Sequence, residues 1–171
     1  AELAAAARVG TGSLRRRAQL LHYRSDLSVL GLRGNIDTRL KKLHAGEFDA
    51  LVMAAAGLRR IGRADRIGEY LADEICVSAV AQGALGLEAR SDGNVRERLA
   101  FLNDAATCAE IAAERALLDR LNGGCHVPIG ARARVAGEQI SMIGVVASPD
   151  GKKLCRSEIF GTVKEPADLG K

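Results

Sequence analysis

The sequence predicts an α/β domain built on a parallel sheet, followed by a small α+β domain with an antiparallel sheet. In the first half, short apolar stretches alternate with stretches of helical periodicity, the pattern of parallel strands joined by helices. In the last third, alternating stretches are separated by short turn sequences, the pattern of an antiparallel meander. A long helical stretch lies between the two patterns.

The first strand and helix are predicted in residues 7–24. "ARVGTGS" is a short apolar stretch that runs into a glycine turn, and Ser13 stands where a helix N-cap belongs. The helix that follows, "LRRRAQLLHYR", places Leu14, Leu20 and Leu21 on roughly one face. That face is expected to pack on the sheet.

The same alternation continues through residues 27–57. "LSVLGLRG" predicts a strand and "NIDTRLKKLHAG" a helix, with Asn35 or Asp37 near its cap and Gly46 beyond its end. "FDALVMAAAG" is apolar without interruption, which predicts a buried strand. Strands separated by helices in this way indicate a parallel sheet.

The second half begins with a glycine-interrupted apolar stretch, "YLADEICVSAVAQGALGLEARSDGN", which is a strand candidate. Gln82 lies in it at an expected turn or crossing between domains. "NDAATCAEIAAERALLDRLNGG" predicts a long helix, capped by Asn103 or Asp104 and ended by Gly123. "HVPIGARARVAGEQISMIGVVASPDGKKLCRSEIFG" then predicts the meander, with turns at "AGEQ" and "SPDGK".

The four cysteines do not form a metal-binding pattern. Cys76, Cys108, Cys125 and Cys155 are far apart in sequence, and no CxxC pair is present. A chain of this size and apolar content does not need disulfides, so reduced thiols are expected. Cys76 and Cys108 have apolar neighbours and are expected in the core.

The charge distribution and the amino-acid composition limit the cellular location and the kinds of binding partner that are expected for this chain. Residues 1–70 hold 13 Lys/Arg against 7 Asp/Glu, whereas residues 71–171 hold 12 against 14. The positive charge of residues 1–70 is compatible with nucleic-acid binding. However, the whole chain has only two Tyr, three Phe and no Trp, which are few aromatic side chains for base stacking. No apolar run reaches the roughly 20 residues that span a bilayer. We expect a cytoplasmic protein, or a piece of one, without a membrane or nucleic-acid partner.

The arginines of the basic half follow the predicted strands. "GTGSLRR", "LRGN" and "AAAGLRR" each come directly after an apolar stretch. In parallel sheets ligands gather at the carboxyl ends of the strands, where helix N-termini also attract anions. Guanidinium groups match carboxylates in shape and charge. The pattern therefore predicts an anion pocket, although any one of these arginines alone also fits a solvated helix face.

Five segments, taken in order, resemble the porphobilinogen deaminase family. They are "VGTGSLRRRAQL", "LRGNIDTRLKKL", "FDALVMAAAGLRRIG", "AVAQGALGLEAR" and "ERALLDRLNGGCHVPIGA", and together they cover most of residues 8–132. Enzymes of this family join four porphobilinogen units head to tail into hydroxymethylbilane, a linear tetrapyrrole on the route to haem. The growing chain is carried on a dipyrromethane cofactor bound through a thioether to a loop cysteine.

The resemblance assigns a role to each of several residues. Cys125, in "GGCHVPIG", would attach the cofactor, and its glycine-rich loop would give the thiol access to the cofactor. Cofactor-binding residues would be Thr11, Ser13, Arg15, Arg16 and Gly57. Arg33, Arg39 and Arg60 would bind the carboxylates of porphobilinogen and of the growing chain. Gln82 would lie at an interdomain hinge, and Arg17 is expected to point away from the site.

The resemblance also implies a domain plan. Residues 1–77 would form the cofactor- and substrate-binding α/β domain, residues 78–101 a crossover that pairs with the family's first domain, and residues 102–171 the cofactor-attachment domain. Relatives often have "GTSSLRR" where this chain has Gly12. The first domain, with the catalytic aspartate, has no counterpart before Ala1, so no catalytic residue is expected here and the chain alone is expected to be inactive. Without that domain, the apolar residues 78–90 are expected to be disordered, repacked against their own chain, or covered by a second copy in a dimer.

Two alternatives to an enzyme part remain open from the residues. One is a non-catalytic anion-binding α/β module, similar to one lobe of a periplasmic binding protein, with an inert Cys125. The other is a nucleic-acid-binding domain that uses the basic half of the chain.

Overall fold

The structure, a computed structural model, describes residues 3–122 and 127–171. It confirms the predicted fold class, with a three-stranded parallel sheet followed by a three-stranded antiparallel sheet. The chain divides into two compact units. One holds the residues up to Val77 and the segment Val145–Arg156, and the other holds Ala131–Gly144, Ser157–Lys171 and the helical region that follows Ser78.

The parallel sheet consists of β1 (Arg8–Thr11), β2 (Ser28–Gly31) and β3 (Ala50–Leu51), in the order β2-β1-β3. Val9 is opposite Val29 on one side and Ala50 on the other. Helix α1 (Leu14–Tyr23) connects β1 to β2, and α2 (Ile36–His44) connects β2 to β3. The apolar core of this unit is formed by Ala7, Val9, Leu20, Leu27 and Val29.

The prediction of one long strand over residues 48–57 is wrong in its extent. β3 has two residues, and the alanine-rich end of the stretch begins helix α3 (Ala55–Arg60). A short 3-10 helix, Ala64–Arg66, follows. Alanine has the highest helix propensity, and an apolar run alone does not distinguish a buried strand from a buried helix.

The segment Val145–Arg156 joins the first unit through a turn that packs on α1. Gly151, in this turn, has a φ of +74°, and its backbone approaches α1 closely. A Cβ at Gly151 would lie 2.6 Å from the carbonyl oxygen of Ala18. The imidazole Nδ1 of His22 is 2.9 Å from the carbonyl oxygen of Gly151. The last turn of α1 and this turn are therefore fixed to each other.

The stretch of residues 78–94 contains no strand, so the strand candidate there is wrong. It forms turns and irregular chain, and Leu85 and Leu87 are 81% and 63% exposed. Helix α4 (Val95–Leu99) and a 3-10 helix, Ala100–Leu102, precede the long helix α5 (Ala105–Arg120). Asp104 caps α5, because its carboxylate accepts a hydrogen bond from the Thr107 N–H at 2.7 Å.

The antiparallel sheet consists of β4 (Ile129–Ala136), β5 (Gln139–Ala147) and β6 (Leu154–Thr162), in that order, and α6 (Pro166–Leu169) follows it. In the second unit Ala113 of α5 packs with Ala133, Ile140 and Met142. Cys108 lies on the exposed face of α5, where its thiol donates to Asn103 Oδ1 at 2.9 Å. The expectation that Cys108 is a core residue is therefore wrong.

Glu114 is a buried carboxylate within the second unit. Its Oε1 accepts the Ala133 N–H at 2.9 Å and its Oε2 accepts the Ala81 N–H at 2.6 Å. Burial is the largest influence on the Glu114 pKa and raises it, against the lowering effect of the two hydrogen bonds. The side chain thus ties α5 both to β4 and to the turn at Ala81.

Candidate functional site

A cavity of about 640 Å³ lies at the carboxyl ends of β1 and β2. The two strands are parallel neighbours, so their carboxyl ends meet at the same edge of the sheet. The loop after β1 leads into α1 and the loop after β2 leads into α2, and residues of both loops line the cavity. The pocket predicted from the arginine pattern is found at this edge.

Both helices begin at the cavity with a capped N-terminus. Ser13 Oγ accepts the N–H of Arg16 at 3.4 Å, and Asn35 Oδ1 accepts the N–H of Thr38 at 2.9 Å. Ser13 is thus confirmed as the N-cap of α1, and Asn35 rather than Asp37 is the N-cap of α2. The free N–H groups of a helix start and its partial positive charge favour anions.

Among the described residues that line the cavity, four side chains are cationic and none is a carboxylate. The cations are Arg17, Arg33, Arg39 and Lys42. The other lining residues are Thr11, Gly12, Ser13, Leu14, Gly31, Leu32 and Gly34. A concave surface with this charge is complementary to a ligand that carries more than one negative group.

Backbone contacts at the loops hold the cavity open in this shape. Arg39 Nε donates to the carbonyl oxygen of Gly34 at 2.8 Å, which orients the guanidinium group. Gly34 itself has a φ of +113°, a conformation that glycine adopts easily. A Cβ on Gly12 would lie 2.7 Å from the carbonyl oxygen of Leu32, so the β1–α1 loop approaches the end of β2 closely.

Arg15 and Arg16 do not line this cavity. Arg15 is buried, and its guanidinium donates to the carbonyl oxygen of Val77 and lies 3.7 Å from the thiol of Cys76. Burial lowers the pKa of Arg15 and also that of Arg16, which the nearby Arg15 and Arg39 charges lower further. Arg16 Nη1 donates to the carbonyl oxygen of Val52 at 3.3 Å, directly after β3, and so lies at the same edge of the sheet.

The other residues that were predicted to belong to the site lie outside the cavity or outside the described residues. Gly57 lies in α3, where a Cβ would be 2.9 Å from Ile36 Cδ1, so α3 packs closely on the start of α2. Arg60 is exposed at the end of the same helix and does not line the cavity. Gln82 belongs to the second unit, where its side-chain oxygen accepts the N–H of Ala79 at 3.3 Å. Cys125 lies outside the described residues.

The structure thus brings Thr11, Ser13, Arg33 and Arg39 together, and it adds two cations that the sequence reasoning did not include. The prediction that Arg17 points away from the site is wrong, because Arg17 lines the cavity. Helical spacing could have predicted both residues, because side chains three or four positions apart lie on the same face of a helix. Arg17 is four residues after Ser13, and Lys42 is three residues after Arg39.

Within residues 3–122 and 127–171, no three His, Cys, Asp or Glu side chains are grouped so that they could hold a metal ion. In those same residues, no helix has the length and apolar character needed to cross a membrane.

Two family models match the chain. Residues 1–97 match the model described as "Porphobilinogen deaminase, dipyromethane cofactor binding domain", and residues 108–171 match "Porphobilinogen deaminase, C-terminal domain". Curated proteins named porphobilinogen deaminase are also similar. Those of Trichlorobacter lovleyi and Syntrophotalea carbinolica are 49% and 47% identical over 170 and 171 residues, which is 99% of this chain and 54% of each relative.

A relative from Roseiflexus castenholzii is 48% identical over 171 residues, covering 99% of this chain and 56% of the relative. The chain thus spans about half the length of the curated relatives that it matches.

Proposed function

The chain belongs to the porphobilinogen deaminase family, and we propose that it supplies the carboxylate-binding surface and the cofactor cysteine of a hydroxymethylbilane synthase. In this proposal the parent enzyme is a transferase of the cytoplasm that joins four porphobilinogen units in haem biosynthesis. Residues 1–77 would form the cofactor- and substrate-binding part, residues 78–101 the crossover, and residues 102–171 the part that carries the cofactor.

One observation carries this proposal: of the residues within 3–122 and 127–171 that line the cavity at the sheet edge, four are cations and none is a carboxylate. Porphobilinogen has an acetate and a propionate group, so every unit added to the growing chain brings two negative charges. A cationic cavity at two helix N-termini offsets that accumulating charge. Arg33 and Arg39, which line the cavity, would bind the carboxylates of the incoming and growing chain, and Arg60 would contact them at the end of α3.

The donor set also fits a dipyrromethane cofactor, which carries carboxylates of the same kind. Thr11 and Ser13 offer hydroxyl groups at the cavity, and Arg16 offers a guanidinium at the same edge. Arg15 would exchange its bond to Val77 for a cofactor carboxylate, and Gly57 would allow close approach of the α3 backbone. When bound through Cys125, the cofactor would supply the pyrrole on which the chain is built.

Acid–base catalysis would have to come from outside this chain. Ammonia release and pyrrole coupling require a group that holds or moves a proton at the reacting pyrrole. In the part of the chain that the structure describes, no Asp or Glu lines the cavity, and Asp37 faces a smaller, separate cavity with Lys41 and His44. We therefore propose that the 171-residue chain binds pyrrole carboxylates but does not by itself produce hydroxymethylbilane.

Intact mass spectrometry tests the cofactor assignment. The chain is incubated with hydroxymethylbilane, whose hydroxymethyl carbon the Cys125 thiol would alkylate with loss of water. A mass increase equal to hydroxymethylbilane minus water is expected on the unsubstituted chain but not on Cys125→Ser. Cys155→Ser is the matched control, since Cys155 is a free and exposed thiol and its loss should leave the adduct in place. An adduct that survives Cys125→Ser would refute the assignment.

The same preparation separates the alternatives. A chain that binds small carboxylates but never forms an adduct would be an anion-binding module with an inert Cys125. Tight, salt-dependent binding of oligonucleotides in preference to carboxylates would favour the nucleic-acid-binding alternative. We also propose that Gln82 is a hinge residue. A second copy of the chain is the proposed partner at residues 78–90, where Leu85 and Leu87 are exposed.

A further inference from the structure

Arg17 of α1 and Lys42 of α2 line the same cavity from two different helices. Arg17 lies one helical turn beyond the cap Ser13, and Lys42 lies one turn beyond Arg39. They therefore extend the cationic surface along the helices, away from the loops that follow β1 and β2. A ligand that fills the cavity would reach these two side chains after the loop residues.

The hydrogen-bonding groups of these two cations are uncommitted. Arg15, Arg16 and Arg39 all donate to backbone carbonyl oxygens. In contrast, no hydrogen bond or ion pair from residues 3–122 or 127–171 engages the side chain of Arg17 or of Lys42, whose backbones bond only within or beside their own helices. Arg17 is exposed and Lys42 is partly exposed, so both can meet a ligand from solvent.

The charge around them is also uncompensated. No carboxylate of the described residues lines the cavity, so its four cations face a common space and repel one another when no anion is bound. Such an arrangement stabilises a bound anion more than it stabilises the unliganded fold. The neighbouring Lys41 differs, because it lines the smaller cavity in which Asp37 is also present.

We propose that Arg17 and Lys42 together bind one carboxylate of the pyrrole ligand, in addition to the carboxylates that meet Arg33 and Arg39. The identification of the ligand as a pyrrole rests on the proposed function. The inference that the ligand carries carboxylates rests on the cations of the cavity. The guanidinium of Arg17 presents two parallel N–H donors to a carboxylate, and the Lys42 ammonium adds a point charge from the facing helix.

The test uses the 171-residue chain and the variants Arg17→Gln, Lys42→Gln and Lys41→Gln. Two probes are titrated calorimetrically at low ionic strength: porphobilinogen, and propane-1,2,3-tricarboxylate, which has carboxylates but no pyrrole. Arg17→Gln and Lys42→Gln should each weaken binding of both probes by about threefold to tenfold. Lys41→Gln should change either affinity less than about twofold, since an exposed charge outside the site contributes little.

Thermal unfolding without ligand is the second measurement. Removing one of four facing cations should leave the unfolding midpoint unchanged or raise it. A fall in the midpoint of Arg17→Gln or Lys42→Gln that accompanies the loss of affinity would assign them a structural role and overturn the proposal.

The two probes distinguish this proposal from the proposed function. Unchanged affinity for both probes in Arg17→Gln and Lys42→Gln overturns the carboxylate contact, whatever the enzyme does. Tricarboxylate binding that depends on both residues, without porphobilinogen binding, supports the contact and overturns the pyrrole ligand. If the unsubstituted chain binds neither probe, both proposals fail.

Discussion

The side-chain amide of Gln19 pairs with both backbone groups of Val77. Gln19 Oε1 accepts the Val77 N–H at 2.8 Å, and Gln19 Nε2 donates to the Val77 carbonyl oxygen at 3.2 Å. Both residues are buried. Arg15, one turn earlier on α1, donates to the same carbonyl oxygen. The Cys76–Val77 segment is thereby fixed to the helix that begins at the cationic cavity.

Replacing Gln19 by alanine should lower the free energy of unfolding by about 1–3 kcal/mol, because it leaves the buried N–H of Val77 without its partner, while the Val77 carbonyl oxygen keeps Arg15 as a donor. Urea unfolding of this variant measures the loss. Gln139→Ala is the matched control, since Gln139 is exposed at the start of β5 and its replacement should have little effect. Equal losses in the two variants would contradict the importance of the pairing.

Gly151→Ala should destabilise the chain more than Gly137→Ala. Both glycines have a positive φ, +74° and +64°, so each substitution incurs a left-handed strain of about 1–2 kcal/mol. At Gly137 a Cβ meets nothing within 4 Å, whereas at Gly151 it lies 2.6 Å from the Ala18 carbonyl oxygen. The added clash should cost roughly 1–3 kcal/mol more in the same unfolding measurement. Indistinguishable midpoints would show that the turn moves off α1 without cost.

Glu114 should give the chain an unusual pH dependence of stability. Its folded-state pKa is raised by burial, so its contribution to stability is fully present below the ordinary Glu pKa and is lost as pH rises through the folded pKa. Glu114→Gln removes this titration, so the stability difference between the native chain and the variant should shrink as pH rises through that window. Urea unfolding of both proteins across that pH range measures the stability difference. A difference that grows as pH rises would contradict a raised pKa for Glu114.

The same substitution should be destabilising at neutral pH by about 1–3 kcal/mol. A glutamine oxygen can accept the Ala133 N–H, but its NH₂ group would then face the Ala81 N–H, a second donor. Glu138→Gln, at an exposed position in the β4–β5 turn, is the control and should be neutral.

Self-association through residues 78–90 is open to a direct measurement. Leu85 and Leu87 are exposed in a stretch without strand or helix, and apolar side chains presented in this way favour burial against another copy. Sedimentation velocity should show a concentration-dependent dimer that Leu85→Asp weakens. Leu14→Asp, at a partly exposed position on α1, should leave association unchanged. A purely monomeric chain at all concentrations would exclude the dimer.

Local signals in the sequence predicted part of this fold well. Ser13 and Asp104 cap helices where the sequence places them, because capping depends on a few neighbouring residues. The extent of β3 was mispredicted, since an apolar run such as "LVMAAAG" suits either a buried strand or a helix. Cys108 was assigned to the core from its neighbours in sequence, but its position on α5 faces away from Ala113 and the sheet beneath it.

A cavity lies at the edge of the sheet where the arginine pattern predicts a site, but Arg17 lines it and neither Arg15 nor Arg16 does. Strand order places the arginines after β1 and β2 at one edge whatever their side chains do. Which of Arg15, Arg16 and Arg17 faces the cavity depends on how α1 is rotated against the sheet, and that rotation is set by distant partners such as Val77.

The contact between His22 and Gly151 joins residues 129 positions apart in the chain. A ribosome that adds about 5–20 residues per second emits Gly151 roughly 6–26 s after His22. During that interval the end of α1 has no cover from the β5–β6 turn, and the helix is exposed to chaperones and proteases. The first unit is therefore completed only after residues 78–144 have been made.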